Sequence, residues 1–149
     1  VMALLARDNE IDLRLQLLVY PASDARVWHQ SYDENGAGFF LPMETMRWFY
    51  NHYLGESIGD DLADDWRVSP AAAANHSDLA PAYVVTCERD PLRDEGNEYA
   101  DLLKSAGVHV KHRQFDGQPH VLFQLANHTE DGKNLLIECG QVLREAFEL

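Results

Sequence analysis

Two short apolar runs, Leu15-Gln16-Leu17-Leu18-Val19-Tyr20 and Ala82-Tyr83-Val84-Val85-Thr86-Cys87, stand out from the mixed pattern around them. They are rich in strand-favouring residues and nearly continuous rather than alternating, which predicts parallel strands covered on both faces. A third run, Val108 to Phe115, alternates apolar with charged positions and predicts a strand near a sheet edge. Between and after these runs the period turns helical. Pro42 suits a first helical turn, after which Met43, Met46, Phe49, Tyr50, Tyr53 and Leu54 fall on or near one face. Tyr99, Leu102, Leu103 and Ala106 make an i, i+3, i+4, i+7 stripe with Gly107 as its C-cap. Leu135, Leu136, Cys139, Val142, Leu143, Ala146 and Phe147 make the last stripe, and the opening Val1-Met2-Ala3-Leu4-Leu5-Ala6-Arg7-Asp8 has the pattern of the back half of a helix. The order α-β-α-β-α-β-α predicts an α/β fold of three mostly parallel strands with crossover helices, within a single domain over residues 1–149.

In such a unit the working loops lie past the carboxyl ends of the strands. Residues 21–24 follow the first strand, 88–94 the second and 116–120 the third. Residues 55–80, with Asp60, Asp61, Asp64, Asp65 and then four alanines, are expected to form solvated loop and short helix rather than a linker between domains.

Composition narrows the function classes. The 149 residues are 46% hydrophobic and 25% charged, as in a soluble globular domain. The net charge of −13 repels phosphate backbones and anionic lipid, which argues against nucleic-acid and membrane-surface partners. No apolar run approaches the roughly 20 residues of a membrane span. Cys87 and Cys139 have neither disulfide-framework nor zinc spacing, which points to a reducing cytoplasm.

The candidate chemistry lies in the loops. Asp90 follows the second strand, where a carboxylate can orient a histidine, and His120 follows the third, where a loop brings its ring to that carboxylate. Taken alone, Asp90 before Pro91 also reads as a turn or capping residue. His109 and His112, three apart on a strand, point to opposite faces with no third ligand, so no metal is expected. Gly55-Glu56-Ser57-Ile58-Gly59 spells the Gly-x-Ser-x-Gly of a nucleophile elbow, but the elbow requires strand, turn and helix, whereas here a helical stripe runs into acidic loop. Ser57 is therefore read as a decoy, with Gly55 as a helix C-cap.

The segments LRLQLLVYPASD, FLPMETMRWFYNHYL and SPAAAANHSDLAPAYVVTCERDPLRDEGNEYADLLKSAGVHVKHRQFDGQPH resemble the carboxyl-terminal half of the bacterial hormone-sensitive-lipase-like carboxylesterases, an α/β-hydrolase family. The most specific piece is Asp90-Pro91-Leu92-Arg93-Asp94-Glu95-Gly96 with Tyr99 and Ala106-Gly107-Val108. The resemblance implies that Asp90 is the acid and His120 the base of a Ser-His-Asp triad. It also implies that the serine elbow, the oxyanion-hole segment and further strands lie upstream of Val1, so that the sheet is incomplete without them. Trp48 and Phe49 lie near the family's acyl pocket, although core packing accounts for them equally well. One departure is Val121-Leu122-Phe123 after the histidine, where the family has Gly-Phe.

The implied activity is hydrolysis of carboxylic esters without a cofactor, with this chain inactive alone. Expected partners are a small ester, the amino-terminal half of the domain in the same or a separate chain, and a second copy in a homodimer. A non-catalytic relative that binds a small ligand in the same pocket is the alternative; retention of both Asp90 and His120 favours the enzyme. A subunit of a split or nicked hydrolase is a third reading.

Overall fold

The computed structural model describes residues 1–55 and 60–148. Helix α1 (Met2–Asp8) leads to strand β1 (Gln16–Val19), helices α2 (Gln30–Asn35), α3 (Met43–Leu54) and α4 (Asp60–Ala63), and a 3-10 turn at Pro70–Ala72. Strand β2 (Ala82–Arg89), helix α5 (Arg93–Ser105), strand β3 (Val110–Pro119) and helix α6 (Glu130–Phe147) follow. The strands form one sheet in the order β1-β2-β3, with both pairings parallel. The expected topology is present, with α4 and the 3-10 turn as the short helix expected within 55–80 and the short helix α2 added.

The central strand explains the continuous apolar run. Val84 packs with Leu4 of α1 and with Tyr99, Ala100 and Leu103 of α5 on one face of the sheet. Tyr83, Val85 and Cys87 point the other way, onto Phe115, Leu122, and Leu135, Cys139 and Val142 of α6. With both faces covered, every residue from Ala82 to Cys87 is buried and no polar face survives in the sequence. The more charged β3 lies at a sheet edge, as its pattern predicted.

Three boundaries depart from the pattern. β3 begins at Val110 rather than Val108 and continues to Pro119, so residues expected in a loop extend the ladder. Pro42 is the N-cap of α3 and stands outside its first turn, with an extended φ of −68° and ψ of 150°. The apolar face of α3 does not rest on the sheet: only Met46 of that helix is buried, in a small cluster with Tyr32, Leu41 and Leu92. Helix α5 ends as its stripe foretold, with Ala106 as cap and Gly107 at a φ of +85°. No helix among the described residues is long and apolar enough to cross a membrane.

Candidate active site

The geometry begins with a mismatch in strand length. Cys87 pairs with Phe115, whereas Arg89 pairs with Pro119, so two steps along β2 match four along β3. The two extra residues make a bulge in which Gly117 takes a φ of +72°, a conformation that glycine adopts without side-chain strain. The Gly117 amide donates to Oε2 of Glu88 at 2.6 Å, fastening the bulge to the neighbouring strand. Without it, at a rise of roughly 3.3 Å per residue, His120 would lie about 7 Å further along, two residues beyond Asp90. With it, His120 stands beside Asp90.

The two side chains meet: Nδ1 of His120 lies 2.7 Å from Oδ2 of Asp90. Asp90 is fully buried, and Oδ1 accepts from the Leu92 amide at 2.9 Å, closing the turn into α5. The turn role and the histidine contact belong to the same carboxylate, one oxygen each. Helix α2 supports it from outside, for Asn35 Nδ2 donates to the backbone carbonyls of Glu88 and Asp90 at 3.1 and 3.2 Å. Ser31 Oγ donates to the Pro91 carbonyl, and the Ser31 amide donates to Asp94. These polar contacts hold a helix with little apolar pattern, which is why periodicity alone did not find α2.

A second buried carboxylate ties the loop after β1 to α5. Glu95 Oε2 accepts from the amides of Ser23 and Asp24 at 2.6 and 3.0 Å, and Oε1 accepts from the Tyr32 hydroxyl at 2.8 Å. Burial raises its pKa above the usual carboxylate value against the pull of those donors. Burial and the Glu95 charge beside it likewise raise the Tyr32 phenol, which stays a donor.

His120 borders a predominantly apolar cavity of about 260 Å³, walled by Leu41, Met46, Phe49, Tyr50 and Leu92. Phe49 is therefore beside the histidine. Trp48 is outside this wall, 54% exposed, its ring 4.1 Å from that of His52 and 5.2 Å from that of Phe49. His112 is 3.0 Å from the Thr86 hydroxyl. Ser57 lies outside the described residues.

After His120 the chain turns sharply. Val121 has a φ of +69°, in the left-handed region where a β-branched residue is an outlier. Tyr20, the first residue past β1, is another non-glycine residue at positive φ, +39°, and its ring centroid is 4.4 Å from that of His120. Neither Tyr20 nor Asn35 carries a sequence signal for this role, because both act through contacts between distant segments.

Comparison with known proteins identifies the fold. Residues 1–124 match the family model described as alpha/beta hydrolase fold. The carboxylic ester hydrolase LipN of Mycobacterium tuberculosis is 40% identical over 128 residues, which span 84% of this chain and 34% of LipN. The ethyl acetate hydrolase of Pseudomonas putida is 33% identical over 132 residues, 89% of this chain and 41% of that protein. The crystal structure of EstE1, a thermostable carboxylesterase from a metagenomic library, superposes with a TM-score of 0.89 at 32% identity, covering 97% of this chain and 49% of EstE1. The chain thus spans less than half the length of these relatives, corresponding to part of a full hydrolase domain. It belongs to the α/β-hydrolase fold family.

Proposed function

We propose that this chain supplies the acid and the base of a serine carboxylesterase. The serine and the oxyanion donors come from a segment outside it, in the same polypeptide or a partner chain. The observation that carries the reading is the 2.7 Å contact between buried Asp90 and His120 at the edge of an apolar cavity. Asp90 accepts from Nδ1–H, which fixes the tautomer and leaves Nε2 as the proton acceptor. His120 then removes the serine proton as the hydroxyl attacks the ester carbonyl, and returns that proton to the leaving alcohol. Water deprotonated by His120 next attacks the acyl-enzyme and frees the acid. The mechanism needs no metal or cofactor.

The cavity, at the low end of small-molecule sites, suits short to medium acyl chains. Phe49 forms part of its wall, and the Trp48 ring packs edge-on against Phe49. That the relatives are ester hydrolases, an ethyl acetate hydrolase among them, supports an ester as substrate. The cytoplasm suits two free, buried cysteines.

The test is hydrolysis of p-nitrophenyl butyrate by the full polypeptide that carries this chain. His120→Ala should lower kcat by roughly a thousandfold or more. This chain alone should leave the ester intact. Undiminished turnover in His120→Ala would remove the base from the mechanism.

A further inference from the structure

We propose that Tyr20 is a positioning residue that fixes the ring of His120 and the turn behind it, an inference that rests on the esterase reading above. Tyr20 is the first residue past β1, and its amide still donates to the Val85 carbonyl at 2.7 Å, so its backbone is pinned to the central strand. At that anchored point the chain takes a φ of +39° immediately before Pro21, a conformation unfavourable for a non-glycine residue and restricted further by the proline. Strain of this kind persists only where surrounding contacts impose it, and here they lead to the histidine. The Tyr20 ring sits 4.4 Å from the His120 ring, tilted by 56°. Its hydroxyl donates to Oε1 of Gln124 at 2.7 Å, in the turn that leaves His120 through Val121. Burial raises the phenol above its ordinary value, so the donor is retained.

Tyr20 therefore grips both the imidazole and the loop that carries it, using the sheet as a base. A sheet-anchored clamp suits a histidine whose own loop contains the strained Val121. Neither Tyr20 nor Gln124 walls the apolar cavity, so loss of either contact should leave substrate binding alone and slow the proton transfers.

Two variants remove the same hydrogen bond from opposite ends, and Gln124 is exposed, so its replacement does not threaten the core. In the full polypeptide, Tyr20→Phe and Gln124→Leu should each lower kcat for p-nitrophenyl butyrate about threefold to tenfold, the range that one neutral hydrogen bond supports. KM should stay within twofold, and the double variant should be no slower than the single ones. In NMR spectra of the full polypeptide, Tyr20→Leu should shift the His120 ring protons by removing the neighbouring ring current, whereas Tyr20→Phe should keep most of that displacement. Values of kcat within twofold of the parent in both single variants, additive losses, or unmoved His120 resonances in Tyr20→Leu would overturn the clamp. An inactive parent polypeptide would instead strike at the esterase reading, and the resonance test still decides the contact with His120.

Discussion

Nδ1 of His120 lies 2.7 Å from Oδ2 of Asp90 across 30 positions of sequence, and a two-residue bulge in β3 makes the meeting possible. Because Asp90 is fully buried, its other oxygen is committed to the Leu92 amide and cannot trade places with the first. Asp90→Asn should keep the fold but present an amide that can no longer hold the tautomer. The expected loss in kcat of the full polypeptide is roughly a thousandfold to ten-thousandfold, with KM little changed. Steady-state kinetics check it.

Val121 should be a site where glycine is tolerated unusually well. A Val→Gly change at a half-buried position loses about 1 kcal/mol of burial and about 0.5–1 kcal/mol of backbone entropy. Here relief of a left-handed valine, on the order of 1–3 kcal/mol, works in the opposite direction. Val121→Gly should leave the urea unfolding free energy of the chain within about 0.5 kcal/mol of the parent. Val110→Gly, half-buried in β3 without a positive φ, should cost at least about 1 kcal/mol more.

Glu95 sets a pH dependence of stability with a definite sign. Its folded pKa is raised above the ordinary 4.5, first by burial, so the native state keeps the proton longer than the unfolded chain does. The stability from this group is therefore fully present below about pH 4.5 and declines as pH rises through the folded value. Glu95→Gln can still accept the Ser23 and Asp24 amides and does not ionise. The stability of the parent relative to Glu95→Gln should fall as pH rises above 4.5, measured by urea denaturation at a series of pH values. A difference that rises over that range would contradict the burial argument.

The two thiols should report on unfolding. Burial, with the Asp90 charge adding to it, pushes Cys87 up to about 12, and Cys139 is also raised by burial. Both lie within the α6 face of the core. Ellman's reagent at neutral pH should modify neither in the native chain and both after denaturation, because the thiolate is the reacting form. Rapid native labelling of Cys87 would show that this face of the core opens readily.

How much was legible in the sequence follows from which interactions are local. The continuous run 82–87 announced a strand covered on both faces, because burial leaves its mark residue by residue. Asp90 and His120 were legible as loop residues after adjacent parallel strands, and the structure brings them together. The bulge that aligns them was hidden, since Asp116-Gly117-Gln118-Pro119 reads as a turn when the pairing to Glu88 is not visible. The six apolar positions of α3 signalled a helix but not its setting: Met46 enters a cluster, while Phe49 remains half exposed at a cavity. Tyr20 and α2 were illegible because the contacts that fix their place in the fold join segments far apart in the chain.

The central claim, that Asp90 and His120 activate a serine outside this chain, is tested most directly by labelling with a fluorophosphonate probe and mapping the modified serine. No label is expected on the 149-residue chain alone. In the full polypeptide or complex, one serine outside these residues should carry the label, and labelling should be abolished in His120→Ala. Label on Ser57 in the isolated chain, undiminished in His120→Ala, would contradict it.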